Sequence, residues 1–382
     1  MYGGKTIGVV VPAYNETEFV ADVIETVPGF VDRIYVVDDC STDDTWTAIL
    51  DALTKPADAS QSRSAAVTDG GPGTTEIGRV QTGTVASPGE GSSAGSAAFD
   101  ERVVAIRHAV NAGVGGAIKT GYRHALDDGI DVTAVMSGDG QMDPAILDRI
   151  IDPVVYDDAE YAKGNRLRYP KYRRQMSGWR TFGNYLLTYL TRIASGYWRM
   201  MDPQNGYTAI SKTALEAIDM DTLYDDYGFS NDVLVRLNTH GLRIADVPMR
   251  AVYGDETSYI RYSRFVPALS LLLLQSYLRR IVHRTVRKES STTVTLQLVG
   301  ILCLLLGTVA MGSTLAGVGP SAGLPGGGVL SLVGGGLFLV GVAADRHRGA
   351  RLVVSIDPPE PPQESGDGTR VPSPADDTPE EG

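Results

Sequence analysis

From position 290 to position 344 the chain carries no Asp, Glu, Lys or Arg. A run of that length without charge is not made to face water. It is either buried in protein or placed in a bilayer, where only internally bonded backbone survives and helix is the available form. Residues 312–328, rich in Gly and Pro, divide it. The pieces on either side, 294–311 and 329–344, approach the roughly 17–25 residues that a span requires once their flanks are counted. We read 290–345 as a transmembrane hairpin. Arg279, Arg280, Arg284, Arg287 and Lys288 precede it, and Arg346, Arg348 and Arg351 follow it. By the positive-inside rule both ends lie in the cytoplasm, which makes this a multi-pass protein of the cell membrane. The acidic, Pro-rich segment 346–382 reads as a disordered cytoplasmic tail.

The rest of the chain is charged. Its 382 residues carry a net charge of −12, with a pI near 4.9. Lys supplies only 7 of the 34 basic residues, and such an acidic, Lys-poor surface suits a salt-rich cytoplasm. Nucleic acid is not an expected partner, because its binders present a basic face. Cys40 and Cys303 stand far apart and read as unpaired thiols facing the cytosol. Lys5 leads directly into a strand, so no signal peptide is expected.

The first half alternates in type. Residues 6–11 are apolar and β-branched, a loop follows at 12–16, and 17–27 reads as helix. A strand at 33–37, a loop at 38–45 and a helix at 45–53 repeat the unit. This alternation predicts an α/β fold with a mainly parallel sheet. Residues 55–100 interrupt it with Gly, Ser, Thr and Pro and no apolar period, which reads as a disordered surface insertion. Strands are then expected at 102–107, 132–136, 161–164, 207–210 and 243–247, with helices from 111–121 onward, at 146–156, 213–218 and 229–240. Residues 179–198 form an aromatic, amphipathic helix, and 263–289 an apolar helix with Arg at its margins. Both suit a membrane interface.

The strand at 132–136 ends in Ser137-Gly138-Asp139-Gly140-Gln141, and Asp143-Pro144 then caps a new helix. Ligands of open α/β sheets bind at such carboxyl ends of strands. A carboxylate and an amide oxygen two residues apart suit Mg²⁺ or Mn²⁺ shared with a diphosphate, and the glycines leave room for it. The same letters also make an ordinary turn.

Four motifs stand in order: Val10-Val-Pro-Ala-Tyr-Asn-Glu16, Val36-Val-Asp-Asp-Cys-Ser-Thr-Asp43, Asn111-x-Gly113-x-Gly115-Gly116-Ala117 and Ser137-Gly-Asp-Gly-Gln141. Together they resemble the family 2 glycosyltransferases. The subgroup most similar is the dolichyl-phosphate (polyprenyl-phosphate) mannosyltransferases and glucosyltransferases. The resemblance covers about residues 5–262. It implies a Rossmann-like, GT-A type catalytic domain over 1–262. It implies donor contacts from Pro12, Tyr14 and Glu16, from Val37 and Asp39, and from Ser137, Gly138, Asp139 and Gln141. Asp139 and Gln141 would hold the metal. Arg166, Arg173 and Ser177 would hold the acceptor phosphate, with Asp139, Arg166 and Arg173 the catalytic group. Gly206-Tyr207 and the segment from Tyr227 to Asp232 match later substrate-side stretches.

This chain departs from the family's pattern in two places. Ser137 stands where the family usually has Asp, and the family's basic pair near the end of the domain has only Arg250 and Arg261 as candidates. The resemblance implies inverting transfer of a hexose from GDP-mannose or UDP-glucose to dolichyl or polyprenyl phosphate at a membrane, feeding lipid-linked protein glycosylation. The oligomeric state stays open. The alternatives are a glycan or polysaccharide acceptor, or a weakened sugar-nucleotide-binding protein, for which Ser137 speaks.

Overall fold

The computed structural model describes residues 1–54, 66–69, 102–168, 178–250, 262–286, 291–318 and 323–356. Nine strands form one sheet: β1 (Ile7–Ala13), β2 (Arg33–Asp38), β3 (Ala66–Asp69), β4 (Val103–Arg107), β5 (Val132–Val135), β6 (Tyr161–Asn165), β7 (Thr208–Ser211), β8 (Ile244–Pro248) and β9 (Val353–Ser355). Their order is β3-β4-β2-β1-β5-β7-β6-β8-β9. Among the described strands, β7 alone runs antiparallel to its neighbours, so the sheet is mixed but mostly parallel.

Both faces of the sheet are covered, which is why its strands read as continuous apolar runs. All seven residues of β1 are buried. Val9 and Val11 point to one core, where they meet Val20 and Ile24 of α1 (Val20–Thr26), Ile49 of α2 (Thr45–Thr54) and Ile150 of α4 (Leu147–Val155). Val10 points to the other, against Ile118 and Tyr122 of α3 (Gly113–Asp127), Leu215 of α6 (Lys212–Ala217) and Leu234 of α7 (Phe229–Thr239). The fold is thus a three-layer sandwich.

Three further helices leave this sandwich: α8 (Tyr262–Val286), α9 (Ser291–Leu315) and α10 (Gly323–Gly349). With α5 (Gly178–Ser195), α8 packs on α7 around Ala194, Val235, Leu272, Leu273 and Tyr277. The opposite sides of α5 and α8 expose Tyr185, Leu186, Tyr189, Leu190, Leu271, Leu274, Leu278 and Val282. Two helices are long and apolar enough to cross a membrane, Thr292–Leu315 and Leu324–Leu352, with mean hydropathies of 2.2 and 2.0. Only 22% of each of these windows is buried against protein, whereas a soluble core helix would be covered on most sides.

α9 runs to Leu315 and α10 starts at Gly323, so glycines from both ends of 312–328, where the sequence predicts a break, lie in helix. Glycine is tolerated because it serves the pairing of α9 with α10. A Cβ on Gly334 would stand 2.6 Å from the Leu304 nitrogen, and one on Gly307 would stand 2.6 Å from the Gly327 carbonyl. Only glycine admits such backbone approach. Pro325 lies in the first turn of α10, where its missing N–H is not needed.

The sequence reading changes at two points. The insertion at 55–100, expected to lack structure, supplies the edge strand β3, paired with β4 in register Ala66↔Val104 to Asp69↔Arg107. Its remaining residues lie outside those described. The tail at 346–382, expected to be disordered, instead begins with the end of α10 and with β9, which pairs with β8 (Ile244↔Val353). In both places an open edge of a parallel sheet recruits a short segment of adequate β propensity, here Ala-Val-Thr and Val-Val-Ser. The chain therefore leaves the sandwich, makes the hairpin and returns to it.

The arginines before the hairpin also differ in direction from a simple flanking role. Arg280 and Arg284 turn inward and share Asp345 of α10, at 2.6 and 2.5 Å.

Candidate functional site

The ends of β1, β2 and β5 are bound to one another by backbone. The Asp39 N–H donates to the Ala13 carbonyl at 2.9 Å, and the Gly138 N–H to the Pro12 carbonyl at 3.0 Å. Side chains tie the loops beyond. The Asn15 N–H reaches Ser41 Oγ at 3.0 Å, Thr42 N–H reaches Asn15 Oδ1 at 2.9 Å, and Glu16 N–H reaches Thr45 Oγ1 at 2.8 Å. Asn15 and Cys40 hold left-handed backbone, φ 57° and 61°. Asn adopts this readily, whereas Cys does so only where its surroundings impose it. Three motifs that lie far apart in sequence therefore meet at one corner of the sheet.

Individual residues at this corner have distinct surroundings. Tyr14 is 45% exposed. Val37 is buried among the residues that contact α3. Asp39 is buried too, and its Oδ1 bonds His108 Nδ1 at 2.7 Å and accepts from the Ala112 N–H at 2.8 Å. That oxygen fastens β2 to the start of α3, so any contact with a base falls to Oδ2. His108 Nε2 in turn meets Thr120 Oγ1 at 2.9 Å.

The turn at 137–141 sits against β1. A Cβ on Gly138 would lie 3.1 Å from the Pro12 carbonyl, and Gly140 has φ +70°. Asp139 Oδ1 accepts from the Gln141 backbone N–H at 2.9 Å, which holds the Asp139 side chain over the turn. Ser137 donates its N–H to Met142 Sδ at 3.2 Å, and the Asp143 cap accepts from Ala145 N at 2.9 Å, as the sequence predicts. Tyr207 supports the turn from below, donating its hydroxyl to the Asp143 carbonyl at 3.1 Å.

Among the described residues no three His, Cys, Asp or Glu side chains gather in a metal-binding group. One carboxylate and one amide oxygen on a fixed turn nonetheless fit Mg²⁺ or Mn²⁺, ions that use one or two protein oxygens and take the rest from substrate phosphates and water.

The glycines of the third motif serve packing. A Cβ on Gly113 would lie 2.5 Å from the Asp225 carbonyl, and one on Gly115 would lie 2.6 Å from the Tyr224 carbonyl. The Gly116 N–H donates to the Asp225 carbonyl at 3.0 Å. Lys119 donates to the Leu223 carbonyl at 3.1 Å and pairs with Asp225. These contacts fix the segment that carries Tyr227 against the start of α3. Burial raises the Tyr227 hydroxyl pKa first, and the charges of Asp226 and Glu16 add to it.

Arg166 follows β6 and meets Asp202 through two of its donors, Nε to Oδ2 at 2.8 Å and Nη2 to Oδ1 at 3.0 Å. Its backbone N–H adds a third bond to Oδ2 at 3.0 Å. Asp202 is only 2% exposed and holds φ 48°. Burial opposes its ionisation, but the Arg166 charge and hydrogen bonds outweigh this and keep its carboxyl below the usual range.

A buried network lies beneath this pair. Lys163 pairs with Asp246 at 2.8 Å, and its ammonium also donates to the Asp202 carbonyl at 3.2 Å. Asp246 Oδ2 accepts from the Met201 N–H at 2.7 Å and from Asn165 Nδ2 at 3.1 Å. Burial pushes the Asp246 carboxyl up despite Lys163. Sequence reasoning did not single out Asp202, Lys163 or Asp246. The available signal was a lysine inside a short, otherwise uncharged strand, which demands a buried carboxylate partner. Arg250 is exposed, and Arg173, Ser177 and Arg261 lie outside the described residues.

The family described as glycosyl transferase family 2 matches residues 8–61 and 92–219, a range that contains the whole corner described above. Over these residues the chain carries a family 2 glycosyltransferase domain. As expected of a family 2 glycosyltransferase, its sheet and helices are GT-A-like. It is similar to the UDP-N-acetylglucosamine–dolichyl-phosphate N-acetylglucosaminyltransferase of Methanococcus voltae, at 27% identity over 252 residues, 66% of this chain and 87% of that one. It is similar to the undecaprenyl-phosphate mannosyltransferase of Micrococcus luteus, at 31% over 162 residues, 41% of this chain and 63% of that one. Among solved structures, glucosyl-3-phosphoglycerate synthase from Mycobacterium tuberculosis aligns with a TM-score of 0.44 and 17% identity over 72% of this chain and 80% of that one.

Proposed function

We propose that this glycosyltransferase moves a sugar from a nucleoside diphosphate donor to a polyprenyl phosphate of the dolichyl type, with inversion, at the cytoplasmic face of the cell membrane. One observation carries the reading. The same chain holds a donor corner with an acidic turn and, next to its sandwich, an apolar platform on α5 and α8 continued by two outward-apolar helices. That pairing suits an acceptor with an anionic head and a hydrocarbon tail. The names of the Methanococcus voltae and Micrococcus luteus relatives both specify a polyprenyl phosphate acceptor and support it. Both ends of the hairpin lie beside the sandwich, which agrees with a catalytic domain and tail on one side of the membrane.

The chemistry asks for placement more than proton transfer. A lipid phosphate is already anionic at neutral pH and needs no general base. Tyr14, Glu16 and Asp39 would bind and orient the nucleoside. Asp139 and Gln141 would hold Mg²⁺ or Mn²⁺, which when bound neutralises charge on the leaving diphosphate as a Lewis acid. Arg166, Arg173 and Ser177 would position the acceptor phosphate for attack from the face opposite the leaving group. Asp202 orients Arg166 for that task by gripping its Nε and Nη2 donors. The reading places the product in lipid-linked protein glycosylation.

The test is a donor screen. The purified full chain in detergent is mixed with dolichyl phosphate and with GDP-mannose, UDP-glucose or UDP-N-acetylglucosamine in turn, and lipid products are weighed by mass spectrometry. One donor should add one sugar to the lipid phosphate. Transfer to a soluble glycan but never to the lipid phosphate would overturn the acceptor assignment.

A further inference from the structure

A second polar centre lies away from the donor corner. Because β7 runs antiparallel to both β5 and β6, while β6 and β8 run parallel, β8 points the same way as β5. Residues 238–241 precede β8 and so sit at the edge of the sheet opposite the donor loops. There a cavity of about 100 Å³ is lined by Gly196, Asn238, His240, Arg284, Asp345 and Arg348, among others.

The charges at this centre do not balance. The guanidinium groups of Arg280 and Arg284 share the single carboxylate of Asp345, and their side chains are 1% and 7% exposed. Arg280 has two further, longer contacts, to Asn238 Oδ1 at 3.4 Å and to the Ile193 carbonyl at 3.5 Å, both neutral oxygens. Arg280 Nε and Arg284 Nε and Nη2 are buried with no acceptor in the protein. A buried net positive charge with three orphan donors is costly unless something answers it. Arg348 adds a further cation to the same wall.

We propose that this cavity is a phosphate-binding site, separate from the donor and acceptor sites. A phosphate oxygen supplies the missing charge, and the group presents several acceptors to the Arg284 fork. The site also stands at the charged end of α10, just past the uncharged stretch 290–344 that we read as a membrane span. An anionic phospholipid is therefore the source of the phosphate that the position favours, and free phosphate is the other source. Bound there, a headgroup ties the hairpin to the sandwich at the point where α8, α10 and residues 238–241 meet.

The experiment measures thermal unfolding of the full chain in detergent with short-chain phosphatidylglycerol, short-chain phosphatidylcholine or inorganic phosphate. Phosphatidylglycerol at about a hundredfold its Kd should raise Tm by roughly 5 °C. Arg284→Gln and Arg348→Gln should each reduce that rise by half or more, and phosphatidylcholine should give a smaller one. An equal rise with inorganic phosphate assigns the same site to free phosphate. No rise with either anion, or a rise unchanged in both variants, overturns the proposal. Arg348→Gln changes a residue outside the buried pair, so it remains informative if Arg284→Gln fails to fold.

Discussion

Asp345→Asn measures how firmly the hairpin is fixed to the sandwich. Asn keeps the shape and one acceptor oxygen but removes the charge that Arg280 and Arg284 share at 2.6 and 2.5 Å. With those side chains 1% and 7% exposed, water cannot replace the lost carboxylate. Removing one partner of a buried pair costs roughly 3–5 kcal/mol. The retained amide oxygen favours the low end, about 3 kcal/mol, or roughly a hundredfold in the folding equilibrium. At ~2–4 °C per kcal/mol, Tm of the full chain in detergent should fall by about 6–12 °C. Donor binding, measured well below that Tm, should not change, because the Asp139 turn lies at the other edge of the sheet. Adding Arg284→Met to Asp345→Asn should recover part of the loss, since one buried cation then remains rather than two. The two changes should couple by at least about 1 kcal/mol. A fall of less than about 1 °C in the single variant, or strict additivity in the double, would show that the triad does not hold the hairpin.

Asp139→Asn should lower transfer by roughly 10²–10³-fold with Tm unchanged, as for other losses of charge stabilisation at a reacting centre; a steady-state assay beside a thermal melt checks both halves. Gly115→Val puts side-chain atoms where the Tyr224 carbonyl leaves 2.6 Å, so it should destabilise by about 1–3 kcal/mol and displace the Tyr227 segment, read by denaturant unfolding and donor affinity. Because Arg166 holds Asp202 below its unfolded pKa, near 3.9, the pair contributes stability that is full above that value and lost as pH falls through the lower folded value. Arg166→Met should therefore flatten the stability–pH curve below about pH 4 in an acid titration. Deleting residues 56–99 removes β3 but leaves β4 paired with β2, so a folded and active enzyme is expected, checked by circular dichroism and the transfer assay.

Local signals carried much of the fold. β-branched runs between loops marked the strands, and Asp143-Pro144 marked a cap that forms as read. Spacing marked α5, and the uncharged stretch marked α9 and α10. That the ends of β1, β2 and β5 carry the motifs was legible because those motifs sit directly after strands. What stayed hidden depends on contacts distant in sequence. The antiparallel course of β7 is decided by where the chain re-enters the sheet after α5, which no local pattern encodes. Lys163 finds Asp246 only once β6 and β8 are paired, and Arg280 finds Asp345 only across the whole hairpin. The strands β3 and β9 were missed because an open sheet edge, rather than their own sequence, gives them structure. The third motif was recognised as a family mark, yet the reason for its glycines appears only when residues 224–225 come within 3 Å of where their side chains would be.

The position of β9 sets an order for biogenesis. It is the last of the described strands, and it follows both hairpin helices in the chain. A ribosome therefore makes the other eight described strands, then two apolar segments, and only afterwards the strand that pairs beside β8. Until then the hydrogen-bonding edge of β8 is open, the kind of edge that invites pairing with another chain. Completion of the described sheet thus waits on the synthesis of both hairpin helices. A chain that stopped before residue 353 would leave β8 without this partner, its edge open to pairing with another chain.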